Sequence, residues 1–370
     1  MKIFCYFGFY LLILLIMAVS KKKKEVTIYD ISRVLNISAS TVSRGLNNSS
    51  QVRKEVRRKI IQVANKMGYQ PNKFASSLRL KRTRSLGVVI PRIDSHFMST
   101  VISGMETVAK QEGYQLLISQ SEESASLEAE NIQALYKGRV DGFLVSLTCK
   151  TKNLEHFQNV FRKDIPIVFF DRVFCQCNCI CIVIDNFKAG YDATQHLIDQ
   201  GCRKIVCVTG NLNRNVYNDR FRGFRLALSD NSVPYDESLL IVTNLSDSSG
   251  EMILRELEKH EAMPDGIFTA NDSSAVSAIC ELKKAGYRVP EDIAVVGFND
   301  DPVSRVVEPN LTTVHYPGRE MGEIAASTMI KILEGTQYEK VSTIILNSEL
   351  IVRQSSVRSV NNHIKPGEDN

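Results

Sequence analysis

The chain of 370 residues predicts a fold in two parts, a small all-α head built on a helix-turn-helix and an α/β body of parallel sheets. Three observations predict it. Residues 26 to 46 read V-T-I-Y-D-I-S-R-V-L-N-I-S-A-S-T-V-S-R-G-L, two short amphipathic helices with a tight polar turn between them. Charge is split along the chain: Met17 to Arg84 hold 17 Lys or Arg against Glu25, Asp30 and Glu55, a net of +14. The whole chain is only +5, so with Lys2 counted the remainder from Ser85 is −10. Beyond Arg84, short β-rich apolar runs alternate with amphipathic helical stretches.

In the head, Thr27 caps a first helix, Asp30 sits near the positive end of its dipole, and Ile31, Val34 and Leu35 form one apolar stripe. Asn36-Ile37-Ser38 breaks that pattern. Ser38 then caps a second helix whose Val42 and Leu46 face inward at i and i+4, leaving Ala39, Ser40, Ser43 and Arg44 on the other side. That outward set is small, polar and cationic, as a surface that reads a DNA groove must be. Val52, Val56, Ile60, Val63 and Met67 recur at helical spacing among Arg53, Lys54, Arg57, Arg58, Lys59 and Lys66, giving a third helix that Gly68 can end. Asn72 to Arg79 makes about two turns, shorter than the roughly 12 to 15 residues an isolated helix needs in water, and so orders only when docked. A basic head on an acidic body is the electrostatic footprint of phosphate binding, which weakens steeply with salt.

In the body, the apolar runs are Leu86 to Ile90, Gln115 to Ser119, Gly142 to Ser146, Pro166 to Phe170, Lys204 to Thr209, Gly266 to Thr269 and Ile293 to Phe298. About 270 residues suit two such sheets better than one. Ligands in sheets of this kind sit at the carboxyl ends of the strands. The polar residues just after the runs are therefore the candidates: Asp94 to Phe97, Gln120 and Ser121, Asp171 and Arg172, Asn271 and Asp272, and Asn299. Carboxylates, carboxamides and a guanidinium that bond adjacent hydroxyls, beside an aromatic face such as Phe97 or Phe170, suit a sugar-like effector. Asp272, directly ahead of Ser273 to Leu282, reads equally well as a helix cap.

The motifs V-T-I-Y-D-I, S-x-S-T-V-S-R-G-L-N, G-Y-Q-P-N and A-S-S-L-R resemble the head and hinge of the LacI/GalR family of bacterial transcription regulators. The likeness continues through D-R at 171 and 172, D-N at 185 and 186, R-F-R-G-F at 220 to 224 and A-N-D at 270 to 272. It ends with V-P-E-D-I-A-V-V-G-F at 289 to 298 and P-x-L-T-T-V at 309 to 314, and so spans Val26 to Ser356. The resemblance implies a periplasmic-binding-protein-like body of two parallel-sheet subdomains, crossed by the chain near Asp185, Pro302 to Gly318 and Tyr338 to Val341, with an effector in the cleft. It makes Ala39, Ser40 and Arg44 base readers, with Arg44 a bidentate partner for guanine. Thr27, Tyr29, Ser38, Thr41, Ser43 and Asn47 become phosphate or capping positions. In the hinge helix, Asn72, Ala75 and Leu78 match minor-groove residues, Leu78 being the wedge in the central base step. Arg220 matches a residue that points into the cleft. One departure is Asn299, where the family commonly has aspartate; Asp300 and Asp301 follow one and two places later, so a shifted carboxylate or a different effector is implied.

The expected domains are 17–70 for DNA binding, 71–84 for hinge and linker, 85–356 for effector binding and dimerisation, and 357–370 for a disordered tail, which has no leucine heptad. Catalysis has no constellation: His96, His156, His196, His260, His315 and His363 are scattered, with neither H-E-x-x-H nor a Walker loop, and no metal or cofactor is expected. Cys175, Cys177, Cys179 and Cys181 alternate, so an extended strand would point all four to one face, and they read as reduced thiols of a cytoplasmic protein. Ile3 to Val19 is an unbroken run of apolar residues and glycine ahead of Lys21 to Lys24. Taken literally it is a signal peptide or short membrane anchor; the reading adopted is that translation starts at Met17 and residues 1–16 are an upstream artefact. The sequence thus predicts a cytoplasmic, homodimeric regulator, a repressor that binds a palindromic operator under control of a small, sugar-like effector. The alternative is a membrane-anchored or exported sugar receptor without a DNA role, and the basic head argues against it.

Overall fold

A computed structural model describes residues 26–69, 82–174, 179–335 and 342–358. The chain divides into two compact units, one ending at Lys81 and the other starting at Arg82.

The first unit is a three-helix head: α1 (Ile28–Leu35), α2 (Ala39–Leu46) and α3 (Lys54–Met67). Asp30 closes the start of α1 by accepting from the Thr27 amide at 2.9 Å and from its hydroxyl at 2.7 Å. Asn36 and Gly68 end α1 and α3 in the left-handed conformation. Ile31, Val42, Val52, Ile60 and Ala64 are buried together, with Ile28, Leu35, Leu46, Val56, Val63 and Met67 around them. Val34 departs from the expected stripe and is 61% exposed. At about 100° per residue, Ile28, Ile31 and Leu35 already define the inward arc, and Val34 falls beyond its edge.

The second unit holds two six-stranded sheets. The first comprises β1 (Ser85–Ile90), β2 (Gln115–Gln120), β3 (Gly142–Val145), β4 (Ile167–Phe170), β5 (Ile180–Ile184) and β11 (Ser342–Leu346), in the order β11-β5-β4-β3-β1-β2. The second comprises β6 (Ile205–Thr209), β7 (Leu240–Val242), β8 (Gly266–Thr269), β9 (Ala294–Asn299), β10 (Thr312–His315) and β12 (Leu350–Ile351), in the order β12-β10-β9-β8-β6-β7. All pairings are parallel except β10 with β12. Helices cover both faces, so the central strands read as continuous apolar runs and are buried throughout, as in β3, β4, β6 and β8.

The helices of the first sheet are α4 (His96–Gln111), α5 (Ala125–Lys137), the single turn α6 (Gln158–Phe161) and α11 (Gly318–Leu333). Those of the second are α7 (Asn186–Asp199), α8 (Asn215–Asp230), α9 (Gly250–Leu257) and α10 (Asp272–Lys284). The backbones of α7 and α8 touch: a Cβ at Gly190 would fall on the Arg220 carbonyl, and one at Gly223 on the Phe187 carbonyl. The glycine in R-F-R-G-F is therefore a packing requirement that fixes where α8 presents its side chains.

The chain changes sheet at Asp185, which caps α7, and again at Tyr316 and Pro317, between β10 and α11. The third change lies between Leu346 and Leu350, not at Tyr338 to Val341, because β11 still pairs in register with β5 and only β12 joins β10. Two boundaries also move. Thr83 and Arg84, expected in the linker, donate their backbone amides to Asp141 at 2.8 Å each and so belong to the body. Arg358, expected in a disordered tail, donates to the carbonyls of Pro290 and Asp292 at 2.9 and 3.1 Å. Cys179 and Cys181 face the core formed by Val89, Phe143 and Phe169, whereas Cys175 and Cys177 lie outside the described residues. Among the described residues, no helix is long and apolar enough to cross a membrane; Ile3 to Val19 lies outside them.

Candidate functional site

On the head, Ser40 and Arg44 are exposed, one turn apart on α2. Ala39 and Thr41 flank them half-buried, and Thr27, Tyr29, Ser38 and Asn47 are exposed. Ser38 caps α2, its Oγ accepting from the Thr41 amide at 3.1 Å and lying 2.8 Å from the Ser40 hydroxyl. Ser43 does not join the outward face. It is buried, because it sits about 100° from Val42 toward the Leu46 side, while Ser40 and Arg44 lie opposite. Arg57 is also not a phosphate-facing cation. It donates to Asn48 Oδ1 at 2.5 Å and to the Ser49 carbonyl at 2.7 Å, tying down the loop before α3. Arg53, Lys54, Arg58, Lys59 and Lys66 remain exposed. Asn72, Ala75 and Leu78 lie outside the described residues.

In the body, a cleft of about 480 Å³ opens between the carboxyl ends of the two sheets. Asp94, Phe97, Asp171 and Arg172 reach it from the first sheet, and Arg220, Asn271 and Asn299 from the second, as the sequence predicts. Asp171 follows β4 with φ 57°, accepting from the Tyr316 hydroxyl at 2.8 Å and from the Ser146 hydroxyl at 3.1 Å. Burial, and the negative charge of Asp171 beside it, push the Tyr316 hydroxyl well above its ordinary range, which keeps it a donor. Arg220 is 3% exposed, donates to Asn186 Oδ1 at 2.8 Å and to the Ala270 carbonyl at 2.9 Å, and lies 3.4 Å from the centroid of Phe298. Burial lowers its guanidinium pKa. Phe97 stacks on Tyr316 with centroids 4.2 Å apart, forming an apolar wall.

Arg172 bridges the subdomains, donating to Glu123 at 2.6 Å and to the Tyr217 hydroxyl at 2.9 Å. Burial opposes its charge, but Tyr217, Cys149 and Glu123 outweigh that cost and hold its pKa well above the usual value. Burial also works against the Glu123 carboxylate, yet Arg172 and the Cys149 amide keep its pKa below its ordinary value. The Cys149 thiol is pushed up to about 11, chiefly by burial, and stays protonated at neutral pH.

Three expected residues stand outside the cleft. Ser121 is fully buried and donates to the Ile90 carbonyl, and Gln120 accepts from the Ile93 amide, because β2 is the edge strand and its end is spent on local turns. Asp272 is fully buried, taking the Thr313 hydroxyl at 2.6 Å and the Asp301 amide at 2.7 Å. Nor does a shifted carboxylate replace Asn299 in the cleft lining: Asp300 pairs with Arg305 and Arg353, and Asp301 is buried, its carboxylate accepting from the Asn299 carboxamide. Sequence reasoning missed Glu123, Tyr217 and Tyr316. Tyr217 was findable, since it precedes Arg220 by three residues and so shares its helix face. Among the described residues, no cluster of His, Cys, Asp or Glu could hold a metal ion.

The family model for bacterial regulatory proteins of the lacI family matches residues 27–72, and the model for a periplasmic binding protein-like domain matches residues 194–356. The chain is 32% identical over 333 residues to the HTH-type transcriptional regulator DegA of Bacillus subtilis, covering 90% of this chain and 98% of that protein. It is 29% identical over 335 residues to the ribose operon repressor of Haemophilus influenzae, covering 89% and 98%. In fold it is similar to the lac repressor dimer bound to operator and the anti-inducer ONPF, with a TM-score of 0.82 at 23% identity, over 90% of this chain and all of that one. A three-helix head with an exposed Ser40 and Arg44, a body of two parallel sheets around a cleft, and relatives along nearly the full length agree: the chain belongs to the LacI family and is a DNA-binding transcriptional regulator.

Proposed function

We propose that the chain is a cytoplasmic repressor that binds a palindromic operator as a homodimer and whose operator affinity is set by a small, neutral, sugar-like effector in the cleft. The observation that carries the effector class is that Asp171 and Arg220 line the cleft from opposite subdomains beside the Phe97 and Tyr316 rings. A carboxylate acceptor and a guanidinium fork bond adjacent hydroxyls, and an aromatic wall takes the apolar face of a sugar ring. Two other cations in the cleft, Arg92 and Arg172, are already neutralised by Asp94 and Glu123, which favours an uncharged ligand over a phosphorylated one. Asp94, Phe97, Arg172, Asn271 and Asn299 complete the proposed site. On the head, Arg44 reads a base, with Ser40 and Ala39 beside it, and Thr27, Tyr29, Ser38, Thr41 and Asn47 meet the backbone.

A single three-helix head contacts few bases, so two heads on a two-fold axis are needed for a specific site. Leu117 and Ile118 stay exposed on β2, the unpaired edge of the first sheet, and an apolar strand edge supports a second copy as the partner. The polar groups of the cleft serve recognition.

The test is selection of binding sites from randomised duplex DNA by the purified protein at moderate salt. An enriched palindrome is expected, released or tightened on titration with one member of a panel of neutral mono- and disaccharides. Enrichment without two-fold symmetry would remove the dimeric operator, and release by phosphorylated sugars alone would remove the neutral effector.

A further inference from the structure

Helix α8 belongs to the subdomain of the second sheet, yet its first residues grip the other subdomain. The Asn215 Nδ2 donates to the backbone carbonyl of Asp171 at 3.0 Å, and its Oδ1 accepts from the backbone amide of Val173 at 3.0 Å. Only one orientation of the carboxamide satisfies both bonds, since the donor must meet the carbonyl and the acceptor the N–H. One residue earlier, Arg214 donates to the Thr151 carbonyl. It is 4% exposed and has no carboxylate partner among the described residues.

The segment that Asn215 holds is the turn that carries Asp171 in the left-handed region, at φ 57°. A side-chain-bearing residue adopts that conformation uncommonly, and surrounding bonds must hold it there. The subdomain of Asp171 supplies two of them: its amide donates to the Ile182 carbonyl at 3.0 Å, and the Arg172 carbonyl accepts from the Leu147 amide at 2.9 Å. The Asp171 carbonyl and the Val173 amide lie beyond the reach of that sheet, and these are the groups that Asn215 takes.

We propose that Asn215 is a positioning residue that makes closure of the subdomains and formation of the effector site one event, by holding from the opposite subdomain the turn that aims the Asp171 carboxylate into the cleft. The proposal rests on Asp171 as an effector ligand. When the subdomains part, the turn loses both bonds to Asn215 and the cleft loses its fixed acceptor. An effector held by Asp171 therefore has contacts only in the closed arrangement, which is the differential affinity that a population shift requires.

Hydrogen exchange of the effector-free, full-length protein tests this. The Val173 amide should be protected in the wild type and exchange about tenfold faster in Asn215→Ala, the equivalent of one hydrogen bond. Asn215→Asp, which keeps the acceptor but sets a carboxylate against the Asp171 carbonyl, should not restore protection. The decisive variant is Arg214→Ala, with Arg214→Gln as a milder second. Neither touches the Asp171 turn, yet both should speed Val173 exchange while the β4 amides from Val168 to Phe170 keep the wild-type rate. Wild-type exchange at Val173 in the Arg214 variants would show closure and turn to be independent and would overturn the proposal, as would unchanged exchange in Asn215→Ala. Because the readout needs no effector, its failure is distinct from a failure of Asp171 as a ligand, which the effector response of Asp171→Ala measures.

Discussion

Replacing Arg44 by alanine should cost roughly 1–3 kcal/mol per half-site on the preferred DNA sequence, or about 5- to 150-fold in affinity, the usual worth of one bidentate contact to a base edge. The structure says why that cost should appear in recognition and not in stability: Arg44 is exposed on the outer face of α2, opposite Val42 and Leu46. Arg57→Ala removes the same charge from the same head with the opposite consequence. Its guanidinium holds Asn48 and the Ser49 carbonyl, and each such bond is worth roughly 1.5–3 kcal/mol where water is excluded. Arg57 is only half-buried, so the loss is discounted to about 1–3 kcal/mol in all. With Ile31, Val42, Val52, Ile60 and Ala64 as its buried core, the head should then melt roughly 4–8 °C lower for each kcal/mol lost. The assay is fluorescence anisotropy on the selected site and its single-base variants in rising salt, beside thermal melting of each protein. Arg44→Ala should lose preference at one base position and melt like the wild type; Arg57→Ala should melt early and keep its sequence preference while folded. Equal loss on every sequence for Arg44→Ala would reassign it to phosphate, and unchanged melting of Arg57→Ala would refute the clamp.

In the cleft, Asp171→Ala or Arg220→Ala should abolish the response of operator binding to the effector while leaving effector-free binding in place; an unchanged titration would take either residue out of the site. Burial holds the Asp272 carboxyl well above its ordinary range, so the folded state keeps a proton that the unfolded chain gives up. The stability this group contributes is therefore full below the unfolded carboxyl value and is lost as pH rises toward the folded one. Asp272→Asn, which can still accept the Asp301 amide, should gain melting temperature relative to the wild type as pH rises above the unfolded carboxyl value, and parallel pH profiles would count against a buried, protonated acid. Gly223→Ala sets a methyl group on the Phe187 carbonyl, a backbone atom that cannot swing away, and should cost about 1–3 kcal/mol in calorimetry. Wild-type melting would mean that α7 and α8 are not in backbone contact.

Much of this was legible because the signals are local. The seven apolar runs all become strands; six are parallel strands buried on both faces, which leaves a continuous run in sequence, while β2 is an apolar edge strand whose Leu117 and Ile118 stay exposed. The strands that escaped lack that signature, except β5, whose apolar run Ile180–Ile184 carries it. β7 and β12 are three and two residues long, β11 alternates along an edge, β10 begins with two threonines, and β5 emerges from the cysteine-rich stretch. In the head, eight-residue helices hold too few turns to fix the inward arc, so Val34 and Ser43 fell on the wrong side. The strand-end rule located Asp94, Phe97, Asp171, Arg172, Asn271 and Asn299 but also admitted Gln120 and Ser121, because it does not distinguish an edge strand from a central one. Tyr316 arrives from a crossing between subdomains and Glu123 from a loop, and both depend on tertiary placement that no periodicity encodes.

The start of α8 concentrates the coupling. Arg214, Asn215, Tyr217 and Arg220 lie within seven residues, about 9 Å of helix axis, so the group proposed to hold the effector and the groups that hold the opposite subdomain move together. The contact of Gly190 and Gly223 joins α8 to α7 through backbone, which leaves no soft side-chain layer to absorb a displacement. A ligand that bonds Asp171 and Arg220 at once spans the cleft, and those bonds exist only when the subdomains are closed. Turning a 1:99 equilibrium into 99:1 takes about 5.5 kcal/mol of differential binding, and hydrogen bonds to charged groups supply roughly 1.5–3 kcal/mol each. In the proposed site Asp171 and Arg220 would thus provide about the energy the switch needs between them, without any further change of fold. Loss of either one should leave a ligand that still binds but no longer moves the equilibrium.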